Sequence, residues 1–149
     1  MALGEKLFEE SGKLVGFKIT KVHPIEGMTL EVSFTSEIKG FGKFPSGRNI
    51  GSGTTTQYPH GAEEAIYHGT FMTVAAREEE EGQGGGEQFI WRTYEKGKAA
   101  EGGKTKGTFI MSGFTNSQRL SWMNTLLVAG ESEFDPAAQQ FRVTGYEWI

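Results

Sequence analysis

The chain has 149 residues, a net charge of −4 at pH 7 and no cysteine. A chain of this length is expected to form one domain, here residues 1–149, and to bury about two-thirds of its unfolded surface without disulfides or a structural metal. The lack of cysteine excludes thiolate catalysis, cysteine-ligated zinc and iron–sulfur clusters. The acidic charge argues against a nucleic-acid partner, because phosphate binding requires a basic surface.

Two further classes are disfavoured by the apolar pattern. No run of residues approaches the roughly 20 apolar positions of a membrane span. The N-terminal segment MALGEKLFEESGK lacks the apolar core of a secretory signal. We therefore expect a soluble, cytoplasmic protein without membrane insertion.

Glycine is the strongest compositional signal, at 22 of 149 residues, and it concentrates in 40–53, 82–86 and 102–107. Aromatic residues make up 12% of the chain, which is more than a disordered chain would carry. The glycines are therefore predicted to mark turns, bulges and bends of strands.

The first residues show a helical spacing. Leu3, Leu7 and Phe8 fall at i, i+4 and i+5 within 2–11. This spacing predicts a short N-terminal helix, and residues 1–11 are interpreted as an extension that plugs one end of the fold.

From residue 13 onward, apolar and polar residues alternate, as in antiparallel strands with one buried face. Eight strands are predicted, over 13–23, 28–44, 50–58, 65–77, 87–97, 104–114, 127–135 and 139–149. Their short connections and the lack of crossover helices favour an all-β, eight-stranded antiparallel barrel, with a sandwich as the alternative.

Two connections stand out. A short helical turn is predicted near 117–125, because Leu120 and Met123 share a helical face behind possible caps at Asn116 or Ser117; it would cover a barrel end. The segment REEEEGQGGGE at 77–87 is predicted to be a solvated hairpin tip, since its four glutamates repel one another.

No metal or cofactor is predicted. The three histidines, His23, His60 and His68, form neither an HxH nor an HExxH spacing. The chain also lacks a GxSxG motif, which disfavours a serine hydrolase.

Glu147 is the first candidate for chemistry. If Phe141, Val143 and Gly145 face the barrel interior, alternation places Glu147 with them, and Arg92 would be its partner. A buried carboxylate must be paired or functional, because burying an unpaired charge is costly. A structural ion pair or a surface position is the alternative interpretation.

His68 is in phase with apolar neighbours and is either a general base or a satisfied interior residue. Aromatic residues on adjacent strands would form a pocket wall or simply core packing. The catalytic candidates are therefore Glu147, Arg92 and His68, and the predicted ligand-binding set is Tyr67, His68, Trp91, Arg92, Tyr94 and Glu147.

The order of several short motifs resembles an uncharacterised family of small microbial β-barrel proteins and, more distantly, calycin-like barrels of the allene oxide cyclase type. These motifs are KGFGK at 39–43, Gly53-Thr54, Gly69-Thr70, EQFIW at 87–91, GTF at 107–109, SQRL at 117–120, NTLL at 124–127, GESEFD at 130–135 and Tyr146-Glu147-Trp148. The resemblance implies a barrel and a precedent for cofactor-free cyclisation or isomerisation of an apolar substrate, often in oligomers. No catalytic motif of that group matches this chain residue by residue.

Three functions follow as hypotheses. The first is a barrel that binds a small apolar or amphipathic molecule without catalysis. The second is a cofactor-free isomerase or cyclase using the candidates above. The third is a homo-oligomerisation module without a ligand, which an exposed apolar strand face would distinguish.

Overall fold

In the computed structural model, residues 2–58, 61–75 and 86–149 are described, with backbone only at 58 and 61–65. Eight antiparallel strands close into one barrel in chain order, which confirms the predicted fold class. The strands are β1 (Leu3–His23), β2 (Gly27–Gly40), β3 (Gly47–Tyr58), β4 (Gly61–Ala75), β5 (Gln88–Ala99), β6 (Thr105–Phe114), β7 (Val128–Asp135) and β8 (Gln140–Trp148).

The predicted N-terminal helix is wrong, because residues from Leu3 onward form the first half of β1 and pair with β8. The register of this pair shifts between Leu3 and Lys6 and again between Lys6 and Phe8. Each shift inserts a residue that breaks the period of two, so that Leu7 and Phe8 are both buried. Because of these bulges, a strand can carry apolar residues at a spacing that resembles that of a helix. The segment belongs to the barrel wall.

The barrel has two different ends. The end that we call the closed end carries the segments 41–46 and 115–127, together with the backbone pairing of Ala2 with Ile149. The opposite end, called the open end, carries the connections at 24–26 and 136–139 among others.

Large side chains fill the closed end. Phe8 stacks on Phe44 at 5.1 Å between ring centroids, and Phe89 contacts Trp91 at 4.2 Å. Each of these rings is at most 4% exposed, so this half of the barrel is a packed core.

A short helical turn covers the closed end, which confirms the prediction near 117–125. It is a 3₁₀ helix, Ser121–Thr125, whose Met123 is buried against the core together with Leu120. The Asn124 side chain accepts a hydrogen bond from the Thr115 amide at 2.8 Å. In the part of the chain that the structure describes, no helix is long and apolar enough to cross a membrane.

Several glycines lie within strands rather than at turns, where they make room for rings. A methyl group at Gly113 would lie 2.2 Å from the Phe89 ring, and one at Gly145 would lie 2.3 Å from the Phe8 ring. These inward positions cannot hold a side chain because a neighbouring aromatic ring lies flat on the wall there. The prediction that glycine marks turns, bulges and bends of strands did not include this role of making room for a ring.

Candidate functional site

A cavity of about 360 Å³ occupies the open half of the barrel. Its wall is mostly apolar and includes Leu14, Leu30, Phe34, Phe71, Phe109 and Phe141. The exposed residues Phe17, Gln57 and Pro136 also line it, and they mark its mouth at the open end. A concave apolar space with a few polar groups is the usual form of a small-molecule site.

Part of the cavity is left by β5, whose inward residues become smaller or polar toward the open end. On β5 the inward residues run from Phe89 and Trp91 at the closed end to Thr93, Glu95 and Gly97. Eight strands enclose a space that side chains can just fill, so a run of small residues leaves part of it empty.

A chain of buried polar side chains links the closed-end core to the cavity. Trp91 Nε1 donates to Thr73 Oγ1 at 3.0 Å, and Thr73 Oγ1 donates to Asn49 Oδ1 at 2.6 Å. Asn49 Nδ2 then donates to Glu10 Oε2 at 2.7 Å, and the Ser36 hydroxyl donates to the same oxygen. Every member is buried, so the network fixes the position of the Glu10 carboxyl group.

Glu10 lines the cavity although it is only 6% exposed. Burial raises its pKa above the usual carboxyl range, while the hydrogen bonds from Ser36 and Asn49 act in the opposite direction. Both hydrogen bonds end on Oε2, and Oε1 has no hydrogen-bond partner among the described residues.

Glu95 is the second carboxyl group in the cavity. The Ser132 hydroxyl donates to its Oε1. Its side chain lies over Gly107, where a methyl group would come within 2.5 Å of Oε1. Burial raises the pKa of Glu95, and the Ser132 hydrogen bond lowers it by a smaller amount. The other oxygen, Oε2, makes no hydrogen bond to the described part of the protein.

Tyr67 contributes a phenol to the same region. Its ring lies flat against the wall at Gly53 and Gly69, and its hydroxyl oxygen is buried without a hydrogen-bond partner. Burial raises the pKa of Tyr67, and the nearby charges of Glu95 and then Glu10 raise it further. The two carboxyl groups and the phenol are therefore close enough to influence one another.

The cavity is acidic without an internal counter-charge. None of the described residues that line it is a lysine, an arginine or a histidine. Glu133, at the rim, forms a salt bridge of 3.1 Å with Lys104. Glu10 and Glu95 have no such partner within the described ranges.

Of the residues predicted to bind a ligand, Tyr67 lines the cavity. Trp91 is fully buried at the closed end, where it donates to Thr73. The side chains of His68, Arg92 and Tyr94 lie on the exposed outer face of β4 and β5. The strands thus place these three away from Tyr67, on the other side of the wall.

Glu147 is in phase with the inward residues of β8, opposite Val128, and it is half-buried at the closed end. It is not among the residues that line the cavity. Arg92 is not beside it, because β5 and β8 are separated by β6 and β7. As a catalytic group, Glu147 stays a prediction.

The remaining sequence-based candidates are scattered. The Nδ1 atom of His23 accepts hydrogen bonds from two backbone amides of the turn at the open end. His60 and the greater part of the 77–87 segment lie outside the described residues. Within the described ranges, no group of three histidine, aspartate or glutamate side chains could hold a metal ion.

Sequence reasoning missed Glu10 and Glu95. Glu95 could have been found, because continuing the alternation of Phe89, Trp91 and Thr93 by one step turns it inward. Glu10 was hidden by the helical interpretation of the segment around it. Only the strand pairing with β2 and β8 places it opposite the inward residue Val143.

Comparison with known proteins supports the fold. No protein-family model matches the chain, and the curated proteins include no significant match. A protein of unknown function from Clostridium acetobutylicum superposes with a TM-score of 0.76 at 12% identity, over 97% of this chain and 98% of that one. A β-barrel-like protein from Acinetobacter baumannii has a TM-score of 0.74 at 16% identity, over 96% and 93% of the two chains.

A third similar structure is a conserved protein of unknown function from Rhodopseudomonas palustris, with a TM-score of 0.77 at 11% identity over 100% of this chain and 99% of that one. At these identities the likeness concerns the fold alone. The chain therefore shares its barrel with bacterial proteins of unknown function.

Proposed function

We propose that this protein binds a small apolar or amphipathic molecule inside the open half of its barrel. The observation that carries the proposal is the cavity of about 360 Å³, which has an apolar wall and polar groups at Glu10, Glu95 and Tyr67. A cavity of this kind lowers the stability of a protein, because its lining residues lose packing contacts. Retaining it is expected where a ligand fills it. We expect this binding to occur in the cytoplasm.

The proposal is tested by filling the cavity. Val143→Phe adds a ring to an inward position of β8, and Thr144→Phe adds the same ring to the next, outward position. Binding of the apolar fluorescent probe N-phenylnaphthylamine should weaken about tenfold or more in Val143→Phe and stay within about twofold in Thr144→Phe. Equal binding by wild type and Val143→Phe, or no binding by wild type, contradicts the proposal.

Native mass spectrometry of gently purified protein provides an independent measurement. A discrete additional mass on wild type that is lost from Val143→Phe supports binding in the cavity and gives the mass of the ligand. An additional mass that survives in Val143→Phe contradicts the assignment of the ligand to this cavity.

A cofactor-free isomerase or cyclase, as the resemblance to allene oxide cyclase-like barrels implies, is a second candidate. It is favoured by two carboxyl groups with raised pKa values in an apolar cavity, since general acid–base catalysis uses such groups. On this structure the proton-handling groups would be Glu10 and Glu95. Turnover of a bound molecule that persists in the Glu10→Gln, Glu95→Gln double variant contradicts this role.

Self-association has its own supporting observation, an apolar row across the outer face of four strands. Ile50, Met72, Ile90 and Phe114 are directly opposite one another in β3 to β6. Ile50 and Phe114 are each 60% exposed. Light scattering should show a smaller particle for Ile90→Lys than for the control Thr70→Lys, which adds the same charge at a polar outer position. Equal masses contradict self-association through this row.

A further inference from the structure

The cavity contains polar atoms that the protein itself does not satisfy. Glu10 Oε1 and Glu95 Oε2 have no hydrogen-bond partner among the described residues, and the Tyr67 hydroxyl is buried without one. Buried polar groups in folded proteins are almost always hydrogen-bonded, and leaving one unpaired is costly. The Tyr67 hydroxyl is such a group, and the free oxygens of Glu10 and Glu95 belong to residues that line the same apolar cavity. A bound molecule could therefore supply hydrogen bonds to all three.

The charges in the cavity indicate which partner fits. Facing the cavity are the carboxyl groups of Glu10 from β1 and Glu95 from β5, and the Tyr67 phenol from β4. At the rim, Glu133 is already paired with Lys104. The described lining residues of β2, β3, β6 and β8 include no titratable group. The interior therefore offers two unpaired acids and no base.

We propose that the cavity binds a small apolar molecule that carries a protonated amine, with the amine hydrogen-bonded to Glu10 and Glu95. This inference rests on the proposed function and specifies its ligand class. An ammonium group donates up to three hydrogen bonds and accepts none, which matches two carboxyl groups with a free oxygen on each. Tyr67 lines the same cavity as these acids, and the aromatic wall of Phe34, Phe71 and Phe109 would surround the apolar part.

Other ligand classes fit this site less well. A carboxylic acid would bring a third acid into a space with no basic residue among the described lining residues, and like charges repel. A hydrocarbon would leave Glu10 Oε1 and Glu95 Oε2 as unsatisfied as they are in the free protein. An alcohol can donate a hydrogen bond to one of these two oxygens but brings no positive charge.

Three compounds with the same phenylethyl skeleton separate these cases: phenethylamine, phenethyl alcohol and phenylacetate. By isothermal titration calorimetry near neutral pH, the amine should bind at least about tenfold more tightly than the alcohol, and phenylacetate should bind most weakly. In Glu95→Gln and in Glu10→Gln, the amine should lose about tenfold or more, and the alcohol should change by less than about threefold. Glu31→Gln, on the exposed outer face of β2, is the matched control.

The pH dependence provides a second measurement that does not require a variant to fold. Because the acids pair with an ammonium group when they are ionised, and burial raises the pKa of both, affinity for the amine should rise as pH increases above the ordinary carboxyl range, whereas that for the alcohol should not. Equal affinity for amine and alcohol, or an unchanged amine-to-alcohol ratio in both glutamine variants, overturns the amine proposal alone. If neither these compounds nor N-phenylnaphthylamine binds wild type, the proposed function fails as well.

Discussion

The closed and open halves of this barrel are made from the same eight strands, yet they are filled in opposite ways. At the closed end, Phe8, Phe89 and Trp91 turn inward, and Leu120 and Met123 cover them from the 115–127 segment. In the open half, the inward positions combine apolar residues such as Phe71 and Phe109 with small or polar ones such as Thr93 and Glu95, and a cavity remains.

The two halves therefore contribute differently to the stability of the barrel. The closed end buries the largest rings and should supply most of the stability, since buried apolar area is the main favourable contribution to folding. The open half retains two buried acids and empty space, both of which reduce stability.

The largest expected effect is the loss of a ring at the closed end. Trp91 is completely buried and donates to Thr73, so Trp91→Ala leaves a cavity and removes one of the two hydrogen bonds of the Thr73 hydroxyl. We expect the free energy of unfolding to fall by about 3–5 kcal/mol, as measured by urea denaturation.

The matched change at the mouth is Phe17→Ala. Phe17 is 58% exposed, so its removal should alter the free energy of unfolding by less than about 1 kcal/mol while changing ligand affinity. Comparable losses in both variants would show that stability is not concentrated at the closed end.

The pH dependence of stability should follow from the acids in the open half. Burial raises the pKa of Glu10 and of Glu95, so the folded protein retains protons that the unfolded chain releases above about pH 4.5. The free energy of unfolding should therefore fall as pH rises from the ordinary carboxyl value to the raised one. The Glu10→Gln, Glu95→Gln double variant should show a flatter dependence, and Glu31→Gln should match wild type. A fall that is as steep in the double variant would assign the effect to other groups.

The smallest expected effect is a gain in stability. Tyr67→Phe removes a buried hydroxyl that has no hydrogen-bond partner, which should raise the free energy of unfolding by about 1 kcal/mol. The same change should weaken binding of the amine probe if the hydroxyl assists the acids. Thermal denaturation and calorimetry on the one variant check both statements. A loss of stability would show that the hydroxyl is satisfied in the folded protein.

The sequence predicted the barrel well because its strands are regular. The alternation of Met28, Leu30, Val32 and Phe34 and the short turns between strands are local signals, and they were sufficient to place most strands. The first part of β1, before residue 13, was missed because its bulges near Leu7 interrupt the period of two, and a bulge depends on the partner strand.

The site was harder to predict because it depends on which face of each strand turns inward. His68 and Arg92 share a phase with apolar residues that lie on the outer face, such as Ile90. Apolar residues occupy both faces of β4 and β5, so hydrophobic pattern alone could not choose between them. The need for glycine under Phe8 and Phe89 could not be predicted from the local sequence either, since the ring that requires each glycine belongs to an adjacent strand.

The seam between β1 and β8 has a consequence for the kinetics of folding. Among the described strands it is the one pair that joins distant parts of the chain, matching Phe8 with Gly145, whereas the other pairs join consecutive strands. Hairpins can form early and locally, but the barrel can close only after β8, the last strand to be synthesised, is available. Until then the nascent sheet has two open edges, and the Phe8 ring lacks the glycine surface on which it will lie. We therefore expect seam closure to be the slow step of folding, and the sheet to be most prone to aggregation before it.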